Sequence, residues 1–148
     1  MDFTFKLVLF ILLTLMPFNS AGVQKAVVKK RLHVIVNQSV ALQSINRQQL
    51  KSIYLGQKTV WPDGSIVTLV IYRTTDKLHK EFVEDMLGIY PYQFNRRWQK
   101  LAFSGFGIKP IVVESKSAML KTVASTPGAI GYIDVENSVA GVTYALLQ

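Results

Sequence analysis

The chain has 148 residues, no cysteine, and 17 lysines and arginines against 9 acidic residues, a formal net charge of +8. Without cysteine there is no disulfide framework, no thiolate nucleophile and no cysteine-bound metal. The length fits one domain behind an N-terminal segment, large enough to bury about two thirds of the surface its unfolded chain exposes.

Lys6 precedes an apolar run from Leu7 to Phe18, and the small residues Ser20, Ala21 and Gly22 follow. A charged start, a short hydrophobic run and a small-residue zone mark residues 1–21 as a secretory signal peptide, cut after Ala21 or Gly22. The run is too short to span a bilayer comfortably as a helix. The expected location is therefore the periplasm, with no stable membrane insertion after cleavage and no nucleic acid as partner. Residues 22–31 form a polar basic leader carrying Lys25, Lys29, Lys30 and Arg31, and the domain proper is expected over 32–148.

LHVIVN, residues 32–37, is a near-continuous apolar run rich in β-branched residues, the mark of a buried strand. Asn46 and Gln49 make a capping box. Leu50, Ile53 and Tyr54 follow at helical spacing, and Gly56 stands where a left-handed C-cap is wanted, so a helix is expected over 47–55. Pro62-Asp63-Gly64 supplies a turn. Ile66 to Tyr72 reads as a second strand. A helix follows over 77–87, with Leu78, Phe82 and Met86 as its stripe, Val83 and Leu87 widening it, and Glu81, Glu84 and Asp85 facing water. Gly88 ends it.

Pro91 opens another helix, with Phe94, Trp98, Leu101 and Ala102 on one face and the cations Arg96, Arg97 and Lys100 beside them. Ser104-Gly105-Phe106-Gly107 breaks it. Ile111 to Val113 is a short strand. Ser115 or Ser117 caps a helix carrying Met119, Leu120, Val123 and Ala124. Pro127-Gly128 stops that helix, Ala129 to Ile133 is a strand, and Val142 to Leu147 a last one. Strands alternating with helices predict a single α/β domain of three-layer type, its sheet mainly parallel or mixed and covered by helices.

The usual catalytic constellations are absent from the sequence. His33 and His79 are far apart and in no ligand spacing, and neither a G-x-S-x-G elbow nor a phosphate-binding G-x-x-x-x-G-K-[ST] loop occurs. His33 reads as a core or edge residue of its strand, and Asp134 and Glu136 as turn residues. No enzyme, metal or cofactor is expected.

The candidate site is VIYRTTDKLHKEF, residues 70–82: a strand end, a polar loop and a helix start. The first backbone N–H groups of a helix lack internal partners and, with the dipole, attract an anion. Arg73 can grip an oxyanion bidentately, and Thr74 and Thr75 can donate hydroxyl hydrogens. In α/β sheets ligands also collect beyond the carboxyl ends of strands. The competing reading is local: Thr75 or Asp76 caps the helix, and Arg73 pairs with Asp76.

The succession VIVN (34–37), NRQQLKSIYLGQKTVWPDG (46–64), VIYR (70–73) and TPGAIGYID (126–134) resembles the phosphate-type substrate-binding proteins of ABC transporters, in order and over nearly all of the domain. The resemblance implies one lobe of a type II periplasmic binding protein, since the length leaves no room for the second lobe of the cleft. It implies phosphate or a related oxyanion as ligand, held at Arg73, Thr74, Thr75 and Asp76, for uptake or sensing, with an ABC permease or an envelope sensor protein as partner. Arg73 falls on the family's arginine, but Thr74, Thr75 and Asp76 replace its Ser-Gly-Thr. The alternative is a single-lobe interaction module of the bacterial envelope without a small-molecule ligand. Gly56, Trp61, Pro127, Gly128 and Gly131 read as architecture, and Tyr132 as either architecture or ligand contact.

Overall fold

The structure is a computed structural model and describes residues 31–105, 108–135 and 142–148. The expected signal peptide, the leader up to residue 30, and Phe106, Gly107 and Glu136 lie outside the described residues. In chain order the elements are β1 (Arg31–Val36), β2 (Ser44–Ile45), α1 (Arg47–Tyr54), β3 (Thr68–Tyr72), α2 (Lys77–Glu81) running into a π-helical turn (Phe82–Met86), α3 (Pro91–Phe103), β4 (Ile111–Val113), α4 (Lys116–Ser125), β5 (Ala129–Val135) and β6 (Thr143–Leu147). One six-stranded sheet takes the order β2-β6-β1-β5-β3-β4.

The sheet is mixed. β3 runs parallel to both β4 and β5, as two successive strand–helix–strand crossovers require. β2 is parallel to β6. β1 is antiparallel to both its neighbours, paired with β5 from Arg31↔Val135 to Val36↔Ile130 and with β6 from Val34↔Ala145 to Val36↔Thr143. The long β1 register carries β5 through to Val135, two residues beyond the expected Ile133, so Asp134 lies within a strand rather than in a turn.

Side chains alternate across a strand, and β5 shows what lies on each face. The Gly131 position abuts Met119 and Val123 of α4. On the other face the ring of Tyr132 stacks on Phe82 of the π turn, with centroids 3.7 Å apart, and meets Tyr54 of α1 edge-on. Helices thus cover both faces, giving three layers. The core is one cluster running from Val34, Ile35 and Val36 through Val70 and Ile130 to Phe82, Phe94 and Met119.

Local chemistry explains most element ends. Asn46 and Gln49 form the expected capping box of α1, and Ser115, not Ser117, caps α4 by accepting from the Ala118 amide. The last carbonyls of α1, which have no partner inside the helix, are taken up by α3: Trp98 Nε1 donates to Tyr54 O at 3.0 Å and Arg97 Nε to Leu55 O at 3.0 Å. Ile66 leaves the β3 run and bridges Val60 instead.

The expected 77–87 helix divides into α2 and the π turn. His79, Phe82, Val83, Met86 and Leu87 are buried, while Leu78 is only half-buried. The buried stripe thus starts at position 79 and runs at i, i+3, i+4, i+7 and i+8 from it, which leaves Leu78 at the edge of the buried face. Ala102 and Ala124, expected on core faces, are exposed.

Candidate functional site

Since β3, β4 and β5 are mutually parallel, their carboxyl ends lie together at one end of the sheet. Arg73 follows β3, Glu114 follows β4, and Asp134 lies near the end of β5. The first turns of α2 and α4 begin at the same end. This is where an α/β sheet gathers ligands.

Of the four predicted residues, Arg73, Thr74 and Thr75 are exposed and Asp76 is half-buried. The loop is a tight turn in which the Asp76 amide donates to Arg73 O at 2.8 Å. Asp76 is the N-cap of α2, its backbone extended and its Oδ1 accepting from the Leu78 amide at 2.7 Å. The carboxylate therefore occupies the helix start. Arg73 does not pair with Asp76, as the local reading had it, but reaches across to the carboxylate of Glu114. Both partners are mostly exposed, 64% and 68% by side chain, so the pair contributes about 0–1 kcal/mol and opens readily. Lys116, at the first turn of α4, donates to the Asp134 carbonyl and stands 3.8 Å from its carboxylate.

Beneath the loop is a layer of buried polar aromatics. The Tyr132 hydroxyl accepts from the Tyr72 amide at 3.3 Å and lies 2.7 Å from His79 Nδ1. With that hydroxyl hydrogen given to Nδ1, the imidazole carries its own proton on Nε2, an atom that has no partner among the described residues. Burial holds His79 down at about 4, against the opposing pull of the Asp76 charge. Burial likewise raises the Tyr72 phenol, helped by the charges of Asp134 and Asp76. Tyr132 is fully buried, which assigns it to the architecture under the loop rather than to its surface.

The other shared residues are structural. Trp61 is buried, and its Nε1 donates to Gly128 O at 2.9 Å. Gly128 has φ +73, and a Cβ there would lie 2.1 Å from Ile66 O, so the turn into β5 admits only glycine. A Cβ on Gly131 would meet Met119 Sδ at 2.6 Å. Asn37 anchors the end of α4, donating to Val123 O and Ala124 O at 2.8 Å each.

Sequence reasoning missed Glu114, Lys116 and Asp134 as neighbours of the loop. The signal was present: Glu114 and Asp134 each close an apolar strand run, and strand ends gather at a parallel sheet's mouth. Among the described residues no group of three or more histidines and carboxylates is placed to hold a metal, and no helix is long and apolar enough to cross a membrane.

No protein-family model matches the chain, and no curated protein matches it in sequence. Solved structures do match. An ABC-type phosphate transport receptor from Vibrio cholerae superposes with a TM-score of 0.62 at 21% identity, over 80% of this chain and 46% of that one. A putative phosphate ABC transporter substrate-binding protein with bound phosphate from Clostridium perfringens gives 0.62 at 14%, over 80% and 45%. PstS from Borrelia burgdorferi gives 0.62 at 18%, over 80% and 47%. The chain thus spans less than half the length of these structures, and its fold is a lobe-sized portion of the phosphate-binding-protein fold.

Proposed function

We propose that the chain is a solute-binding-protein-like lobe of the periplasm that holds phosphate or a related oxyanion at the mouth formed by β3, β4 and β5, for ABC-type uptake or for sensing. The observation that carries this reading is the placement of Arg73, Thr74 and Thr75: exposed, on one loop, beyond the carboxyl ends of parallel strands. Arg73 supplies the charge and the threonine hydroxyls supply hydrogen bonds. Asp76 closes the helix start, so its part is to shape the loop rather than to touch the anion. An ABC permease or an envelope sensor is the partner this reading implies, and the role is binding rather than catalysis.

An incoming oxyanion competes with Glu114 for the guanidinium. Calorimetry with phosphate, sulfate and small carboxylates tests the reading. Phosphate is expected to bind more tightly than about 1 mM, Arg73→Ala to weaken it by about tenfold or more, and Glu114→Gln to tighten it. Failure of every anion to bind at that level, or an Arg73→Ala protein that binds as before, rejects the site.

A second reading is favoured by the same geometry. Asp76 satisfies the helix start and Glu114 neutralises Arg73, which makes the loop self-sufficient without a ligand. In that case the lobe is an interaction module of the envelope. Crosslinking in intact cells distinguishes the two: recovery of only the monomer, alongside tight oxyanion binding in vitro, counts against the module.

A further inference from the structure

Helix α3 carries an outward face that the core does not use. Its inward side is committed: Phe94 and Leu101 are buried, Trp98 is half-buried, and Arg97 turns in to the carbonyl of Leu55. The outward side runs Tyr92, Arg96, Gln99, Phe103, at spacings of four, three and four, which is a single line along a helix. All four are exposed, Tyr92 by 63% and Phe103 by 92%. Tyr90, just before the helix, stacks on Tyr92 with centroids 5.8 Å apart and planes 13° from parallel. Lys100 flanks the line. Eleven residues of helix separate the two aromatic ends, about 16 Å.

The charge on this face has one sign. PYQFNRRWQKLAF contains no acid, and neither Arg96 nor Lys100 makes an ion pair among the described residues. Glu84 is the acid at the rim, lining a hollow with Tyr90 and Gln93. Lys77, Arg73 and Lys116 have carboxylate partners, whereas other exposed cations such as Arg47, Lys109 and Lys121 have no ion pair among the described residues. What sets the α3 face apart is its cations lying between exposed aromatics. Arginine between large aromatics is the composition of interface anchors.

We infer that the Tyr92–Arg96–Gln99–Phe103 face of α3, with Lys100 and the stacked Tyr90, docks onto an acidic surface of a partner protein. The unpaired cations select the acidic surface, and the aromatic ends supply apolar area on either side of them. A lipid surface fits less well, because an interfacial helix needs a broad free apolar face and that of α3 is already buried in the fold. The face is distinct from the loop. Trp98 lines a small cavity with Val67 and Leu69 at the entry into β3, whereas the loop follows that strand's carboxyl end. The inference rests on the interaction reading and is independent of whether the loop holds an oxyanion.

The test is site-specific photo-crosslinking in intact cells producing the full chain. A photoreactive phenylalanine analogue is placed at Tyr92, Gln99 or Phe103, and at Thr74 for comparison. The expected result is one envelope protein captured from the three α3 positions through a segment rich in Asp and Glu. Arg96→Glu with Lys100→Glu is expected to cut the yield by about tenfold or more. Lys77→Glu with Lys121→Glu, the same change in net charge elsewhere, is expected to leave it unchanged. Circular dichroism establishes that each variant is folded. Capture from Thr74 but not from α3 leaves the interaction reading standing and overturns this face. Adducts to a second copy, to lipid or to nothing overturn it as well, as does a yield indifferent to the reversal at Arg96 and Lys100.

Discussion

Tyr54 and Tyr132 are both fully buried phenols on the same side of the sheet, and their hydroxyls have opposite fates. Tyr132 bridges the Tyr72 amide and His79 Nδ1. The Tyr54 hydroxyl has no partner among the described residues, and burial with the neighbouring Tyr132 pushes its pKa well up. A buried hydroxyl left unsatisfied costs about 1–3 kcal/mol, while one that serves two partners leaves them orphaned when deleted. Tyr54→Phe is therefore expected to leave stability unchanged or raise it by about 1 kcal/mol, and Tyr132→Phe to lower it by about 1–3 kcal/mol. Urea unfolding of the two variants beside the parent reads both. The sequence showed two tyrosines on apolar runs and nothing to separate them, because the difference lies in which atoms meet across four elements. For the same reason the capping role of Asp76 was legible while the partner of Arg73 was not. A cap needs only the next two residues, whereas Glu114 comes from another strand.

At the scale of elements, β1 and α4 are joined by one side chain. Asn37 closes β1, donates both amide hydrogens to the last carbonyls of α4, and accepts from the Ser39 amide at 2.9 Å. Those carbonyls have no partners within the helix, so Asn37 serves as a C-cap supplied from a distant strand. Asn37→Ala is expected to destabilise by about 2–3 kcal/mol, the sum of these bonds at about 1 kcal/mol each. Asn37→Asp keeps the size and the acceptor but cannot donate, and it sets a negative charge at the negative end of the helix, so it is expected to cost at least as much. Chemical denaturation gives the total, and faster amide exchange in the last turn of α4 localises it. The elements with strong local signals were legible: the capping box of α1, proline at the start of α3, the β-branched runs of β1 and β3. Three features were not. β2 is two residues long and exists only as a partner of β6. β5 gains its last two residues from pairing with β1. The π turn has no periodicity of its own, so the sequence reads as one continuous helix over 77–87.

For the molecule as a whole, the order of elements was readable but strand direction only in part. Strand–helix alternation fixes the parallel set β3, β4 and β5 and is silent on β1, whose neighbours β5 and β6 come from the far end of the chain. The same long-range closure creates a global dependence on acidity. His79 in α2 is fully buried and linked through Tyr132 in β5 to the Tyr72 amide in β3, so protonating it strains three elements at once. Its value falls from 6.5 to about 4 in the fold, which means that the unfolded chain binds the proton more readily than the folded one. The stability held by the neutral imidazole is therefore complete above about pH 6.5, declines as the pH falls, and is lost by about pH 4, a difference of about 3 kcal/mol. Asp76, whose charge raises the histidine's value, softens the decline while it stays ionised. Carboxylates titrate in the same window, so the readout is a difference: unfolding free energy of the parent minus that of His79→Gln, whose amide does not titrate, measured from pH 4 to pH 8. That difference is expected to fall by about 3 kcal/mol from pH 6.5 to pH 4 and to stay flat above 7. A difference that does not vary with pH means that the folded protein accommodates the charged imidazole.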